Sequence, residues 1–90
     1  MEFKLRQDIQ KIYDTNEEKL TLFCDENDNQ LVSISDTAAK FFNDLENDKV
    51  YKLNDCVEQF CKEYDVFSKD EVEKLFKDVI HSLKETNFLG

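Results

Sequence analysis

The chain has 90 residues, 40% of them hydrophobic, with eight Phe and three Tyr. That is enough for one modest core over residues 1–90, and too much for a disordered chain. The formal charge is −9, and no third of the sequence carries more basic than acidic groups. The main driving force for binding nucleic acid or an anionic membrane is therefore missing.

There is no Pro, and the only Gly is Gly90, so turns must be built from Asn and Asp. The opening M-E-F-K-L-R-Q-D has no uninterrupted apolar run, so neither a signal peptide nor a membrane span is expected. Phe3, Leu5, Ile9, Ile12 and Tyr13 alternate weakly and predict one strand at residues 10–14. Residues 15–19 form a polar turn. Leu20, Thr21, Leu22, Phe23 and Cys24 make a second strand of good β-formers. Residues 25–29 are a loop by composition. Leu31, Val32, Ser33 and Ile34 then make a third short strand, so residues 20–34 predict a hairpin.

At Ser35 the apolar period changes from two to about 3.6. Ser35 fits an N-cap, and Ala38, Phe41, Phe42 and Leu45 give a first helix its buried side. Asn47 and Asp48 break it. A second helix is expected at about residues 53–64, and Asp65, Val66 and Phe67 link it to a third. The order β-β-β-α-α-α argues for an α+β fold rather than a parallel sheet.

The third helix carries the clearest signal in the chain. Val72, Leu75, Phe76, Val79, Ile80 and Leu83 recur at amphipathic spacing. Ser68 and Glu71 have the form of a capping box, each expected to satisfy an amide of the first turn. Asn87 stands where a left-handed exit is usual. At about 100° per residue, Lys69, Glu73, Lys77 and Lys84 fall beside Phe76 and Ile80. Glu71, Asp78 and Glu85 fall on the other flank, beside Leu75.

No catalytic set is visible, and the chain is not expected to be an enzyme. His81 is the only His and reads as a surface residue. Cys24, Cys56 and Cys61 have no zinc or redox spacing and read as buried free thiols, which fits a reduced cytoplasm. The acidic runs at residues 25–28 and 46–48 lack the central Gly and terminal Glu of a calcium loop. No metal or cofactor is expected.

Three stretches, I-S-D-T-A-A-K-F-F at 34–42, C-V-E-Q-F-C-K-E-Y-D-V at 56–66 and V-E-K-L-F-K-D-V-I-H-S-L-K-E-T-N-F-L at 72–89, make the chain resemble the PqqD-like family. These are the RiPP recognition elements, small winged-helix-like domains that bind leader peptides of ribosomally made, modified peptides. The resemblance covers nearly the whole chain. It departs from the family pattern where Asp48 is followed by Lys49 instead of Gly, where Asn87 replaces a Gly, and where Lys52 replaces a Thr cap. The motifs are packing patterns, not catalytic signatures.

The resemblance implies a winged helix-turn-helix-like domain that does no chemistry. It implies that the leader peptide is added as a strand to Leu31, Val32, Ser33 and Ile34, in a groove closed by the third helix. Val32 and Ile34 should face the core, and Leu31 and Ser33 should face outward. Many leaders in this family are acidic, so the flank with Lys69, Glu73, Lys77 and Lys84 is expected to frame the groove, with Val72, Phe76 and Ile80 as its apolar floor. The second partner implied is a separate modifying enzyme, often a radical SAM enzyme, whose CxxxCxxC is absent here. A protein-interaction or dimerisation module is the alternative. A winged-helix DNA regulator ranks last, because its recognition helix would have to be basic.

Overall fold

The computed structural model describes residues 1–24, 30–65 and 67–90. The loop expected at residues 25–29, and Val66 of the link before the third helix, lie outside them. Among the described residues the order is β1 (Glu2–Lys4), β2 (Gln10–Asp14), β3 (Lys19–Phe23), β4 (Leu31–Ser35), α1 (Asp36–Asn43), β5 (Val50–Lys52), α2 (Leu53–Glu63) and α3 (Lys69–Glu85). The fold is α+β, with β2-β3-β4 as a three-stranded antiparallel sheet.

Two strands depart from the expected order. β1 and β5 pair with each other, Phe3 opposite Tyr51, in a separate two-stranded sheet. β5 therefore stands between the first and second helices. Three residues are too short for a period to be read, and Val50 and Tyr51 were β-formers without a visible partner. The partner lies at the other end of the sequence. Phe3 stacks on Tyr51 with ring centroids 5.8 Å apart, and the Leu53 N–H donates to the Met1 carbonyl at 2.9 Å. Asp48 supplies the turn before β5 with φ 60°, so the missing Gly is replaced by the Asp itself.

The β2–β3 turn shows how a chain without internal Gly reverses. The Asp14 carboxylate accepts from the N–H groups of Asn16 at 2.9 Å and Glu17 at 3.2 Å, and Glu18 takes φ 50°. An Asx turn is the mechanism. The register then places Leu20 and Leu22 opposite Ile34 and Val32, and all four are buried. Their shared face is covered by α1, which packs on the sheet through Ala38, Ala39, Phe41 and Phe42. Lys11 of β2 ties the sheet to the end of α1, where its ammonium donates to the carbonyls of Asn43 and Leu45. Burial pushes the Lys11 pKa down, against the pull of Asp44.

Ser35 flanks α1, but its side chain makes no capping bond. It is still the last residue of β4 and its backbone is extended. Lys52 likewise caps α2 with backbone only. The capping box of α3 forms in part. The Ser68 hydroxyl accepts from the Glu71 N–H at 3.2 Å as expected, while the Glu71 carboxylate accepts from that same hydroxyl at 3.0 Å rather than from an amide.

α3 ends in a complete Schellman motif. The Asn87 N–H reaches the Lys84 carbonyl at 3.1 Å, and the Phe88 N–H reaches the Leu83 carbonyl at 2.8 Å. Asn87 takes φ 63°, the left-handed exit its position predicted. Phe88 drops into the core beyond it. The segment is then held by Arg6, whose N–H donates to the Phe88 carbonyl at 3.0 Å, and by a bridge between Leu5 and Leu89.

Candidate functional site

The strand order leaves one side of β4 without a partner in the sheet. The Asp36 N–H donates to the Glu18 carbonyl at 2.9 Å, and this pair continues the β3–β4 register. It fixes the phase of the ladder. Bonded and non-bonded pairs alternate, so Ile34 and Val32 direct their backbone groups to β3. Leu31 and Ser33 direct theirs outward. Among the described residues, no further backbone bond ties Leu31 or Ser33 to another element. The side chains alternate as expected, with Val32 and Ile34 buried and Leu31 and Ser33 exposed.

α3 packs against β4, but its expected apolar floor is not at the surface. Phe76 is 0% exposed and Ile80 is 2% exposed, and Val72 is also buried. The Phe76 ring is enclosed by Phe41, Phe42 and Phe60, each with its centroid 5.2 Å away. Phe76 and Ile80 are core and offer a ligand nothing to touch. The reason is that four Phe rings meet where α1, α2 and α3 converge, and Phe76 sits at the middle of the buried face.

Two lysines of the basic flank are engaged in ion pairs. Lys69 reaches Glu58 of α2 at 3.9 Å, and Lys77 reaches Glu73 of its own helix at 3.1 Å. Lys69 thus leans toward α2 and Lys77 pairs within α3, while Lys84 is exposed in the last turn. Exposed pairs of this kind contribute little, about 0–1 kcal/mol.

The exposed apolar surface of α3 is Leu75, 42% exposed, with Phe67 beside the helix start at 39%. Thr37, Phe60, Phe67, Glu71, Val72 and Leu75 line a cleft of about 150 Å³. Thr37 lies in α1 just past the end of β4 and Phe60 comes from α2, so the cleft forms where the start of α1, the end of α2 and the start of α3 meet. A cavity on the order of 150 Å³ can hold a benzene-sized group, so the cleft has room for one aromatic or branched side chain. Sequence reasoning missed Thr37, Phe60 and Phe67 here. Phe67 had a usable signal: it precedes the Ser68 cap, and an apolar residue there staples to the one at the start of the second turn, which is Val72.

The three cysteines are free, but they are not equally buried. Cys24 and Cys56 are buried, whereas Cys61 is only partly so. Burial, with the Asp55 charge adding, pushes the Cys56 thiol up. The Cys24 thiol donates to an Asp8 carboxylate oxygen at 3.1 Å. That bond holds the Asp8 carboxyl below its usual range, more than offsetting burial, with Arg6 adding to it. Cys61 is therefore expected to react first with a thiol reagent in the folded protein, with Cys24 and Cys56 reacting only as the chain opens. Equal rates at all three under native conditions would contradict this packing.

His81 is exposed and rests 3.0 Å from the Glu85 carboxylate. Among the described residues no helix is long and apolar enough to cross a membrane. No protein-family model matches the chain, and no curated protein and no solved structure matches it.

Proposed function

We propose that this chain is a winged-helix-like leader-peptide-binding domain of the PqqD-like kind, without catalytic activity of its own. It captures an extended segment of a precursor peptide by adding it as a strand to β4. It then presents that peptide to a separate modifying enzyme, such as a radical SAM enzyme, in the cytoplasm. The observation that carries the reading is the β4 edge, where Leu31 and Ser33 turn their backbone groups away from β3 beside an apolar cleft. An unpaired strand edge offers a row of donors and acceptors, and a neighbouring pocket supplies side-chain selectivity.

The groove in this proposal runs between β4 and the Leu75 flank of α3. Leu31 and Ser33 serve as its edge. Val32, Ile34, Val72, Phe76 and Ile80 support it from the core. Lys69, Glu73, Lys77 and Lys84 lie outside it.

Ser33→Pro tests the edge. The Ser33 N–H points outward, so its loss leaves the β3 ladder intact while removing one bond to an added strand and placing a ring in its path. Affinity for the leader segment of a precursor peptide encoded beside this gene should fall about tenfold or more, equivalent to roughly 1.4 kcal/mol. Circular dichroism should show the fold unchanged. A folded Ser33→Pro protein that binds the leader as well as the parent does would end the proposal. Val32→Pro is not a substitute, because that amide belongs to the ladder.

A further inference from the structure

We infer that the β2 edge of the sheet is a self-association surface, where β2 pairs antiparallel with β2 of a second copy about a two-fold axis at Ile12. β2 is the outer strand on the side away from β4. In the middle strand, Leu20 and Leu22 direct their backbone groups to β4, so Lys19, Thr21 and Phe23 direct theirs to β2. Their partners there are Asp14, Ile12 and Gln10. The N–H and C=O groups of Lys11 and Tyr13 therefore point away from the sheet. Among the described residues no backbone bond joins either to another element. At one end the Asn47 amide donates to the Ile9 carbonyl at 2.7 Å, which confines the open edge to Gln10–Asp14.

This edge is complementary to itself. Ile12 is 59% exposed and stands on the face opposite α1, in a row with Thr21 and Ser33. A two-fold there sets Ile12 against Ile12 of the copy as a non-bonded pair, whose Cα atoms approach to about 4.5 Å. Apolar β-branched side chains so placed stabilise a sheet. On either side of the axis Lys11 and Tyr13 of opposite copies exchange their backbone bonds, and Asp14 faces the uncharged Gln10. No like charges are opposed along the seam. Moving the axis to Lys11 would oppose two lysines, and moving it to Tyr13 would set Ile12 against Asp14.

A lysine ordinarily guards an edge strand. Lys11 does not guard this one, because its ammonium donates to the Asn43 and Leu45 carbonyls at the end of α1 and keeps those partners when a strand is added. The pairing joins two three-stranded sheets into one, with a β4 at each outer edge. Self-association thus leaves the proposed peptide edge open, and the inference does not rest on peptide binding.

Sedimentation velocity of the full chain, over a concentration series reaching about 0.5 mM, should show a monomer–dimer equilibrium. Salt should tighten it, since copies at −9 repel at long range and screening removes the repulsion. Ile12→Lys opposes like charges at the axis and should weaken the dimer at least about tenfold. In the parent chain, amide exchange at Lys11 and Tyr13 should slow as concentration rises, while Ile12, already bonded to β3, should not change. A chain that stays monomeric at every concentration and salt overturns the inference. So does a dimer indifferent to Ile12→Lys whose Lys11 and Tyr13 exchange does not slow. A dimer lost in Ser33→Pro but kept in Ile12→Lys places the contact on β4 and overturns it as well. Leader binding by Ile12→Lys should match the parent, which keeps this result separate from the test of the peptide edge.

Discussion

Phe76→Ala should destabilise the fold by about 3–5 kcal/mol, the range for removing a buried aromatic ring. The ring is fully enclosed and contacts three others at 5.2 Å, so neighbours on two other helices, α1 and α2, would have to move to fill the space. A domain of this length has a total stability of roughly 5–13 kcal/mol, so much of the population could unfold at ordinary temperature. Each lost kcal/mol should lower the melting temperature by about 4–8 °C. Phe76→Leu, which keeps most of the volume, should cost far less. Urea unfolding of both variants is the measurement. A cost below about 1 kcal/mol for Phe76→Ala would mean that the ring is not in the core. Loss of leader binding in this variant says nothing about the groove unless the protein is shown to be folded.

Phe88→Ala should cost a similar amount, about 3–5 kcal/mol, although it lies next to the chain end. The side chain is fully buried and closes the Schellman motif of α3. Its carbonyl also receives the Arg6 N–H, so the ring holds down the segment that pairs with residues 4–6. Asn87→Gly makes the informative contrast. With φ at 63°, Gly fits that position without the Cβ penalty, so stability should hold or rise slightly. Thermal unfolding compares the two directly. If Phe88→Ala proved as mild as Asn87→Gly, the last residues would be an appendage rather than part of the core.

How far the sequence could be read depends on how long each signal runs. α3 announces itself over seventeen residues, with Ser68 before it and Asn87 after it, and these were found where expected. β4 was legible from four alternating residues, and Val32 and Ile34 do face inward. β1 and β5 were not legible, because each has three residues and their pairing joins positions some fifty apart. The apolar face of α3 was misread for a different reason, since Phe76 and Ile80 are enclosed rather than open to a ligand. A helical wheel gives the angles between Leu75, Phe76 and Lys77, but not the directions in which α2 and β4 lie. Contacts made only in the folded chain, such as those of Phe76 with Phe41, Phe42 and Phe60, show which side of the wheel is enclosed. The cysteines follow the same logic: Cys56 falls within the buried face of α2 and Cys61 beyond its edge, a difference of angle that residue type alone conceals.

The pairing of β1 with β5, and of Leu5 with Leu89, has a consequence for how the molecule assembles. The β2–β3 hairpin and each helix can form from residues close together in the chain, and such elements appear within microseconds. The Leu5–Leu89 bridge instead closes a loop of almost the whole polypeptide, and its entropic cost is met before the enclosed core repays it. Contacts of that separation slow folding. The hairpin and helices are therefore expected to form early, and the joining of residues 1–6 with residues 87–90 to come late. Residues 1–6 and 87–90, although they stand at the margins of the sequence, are thus expected to close the core that the earlier elements outline.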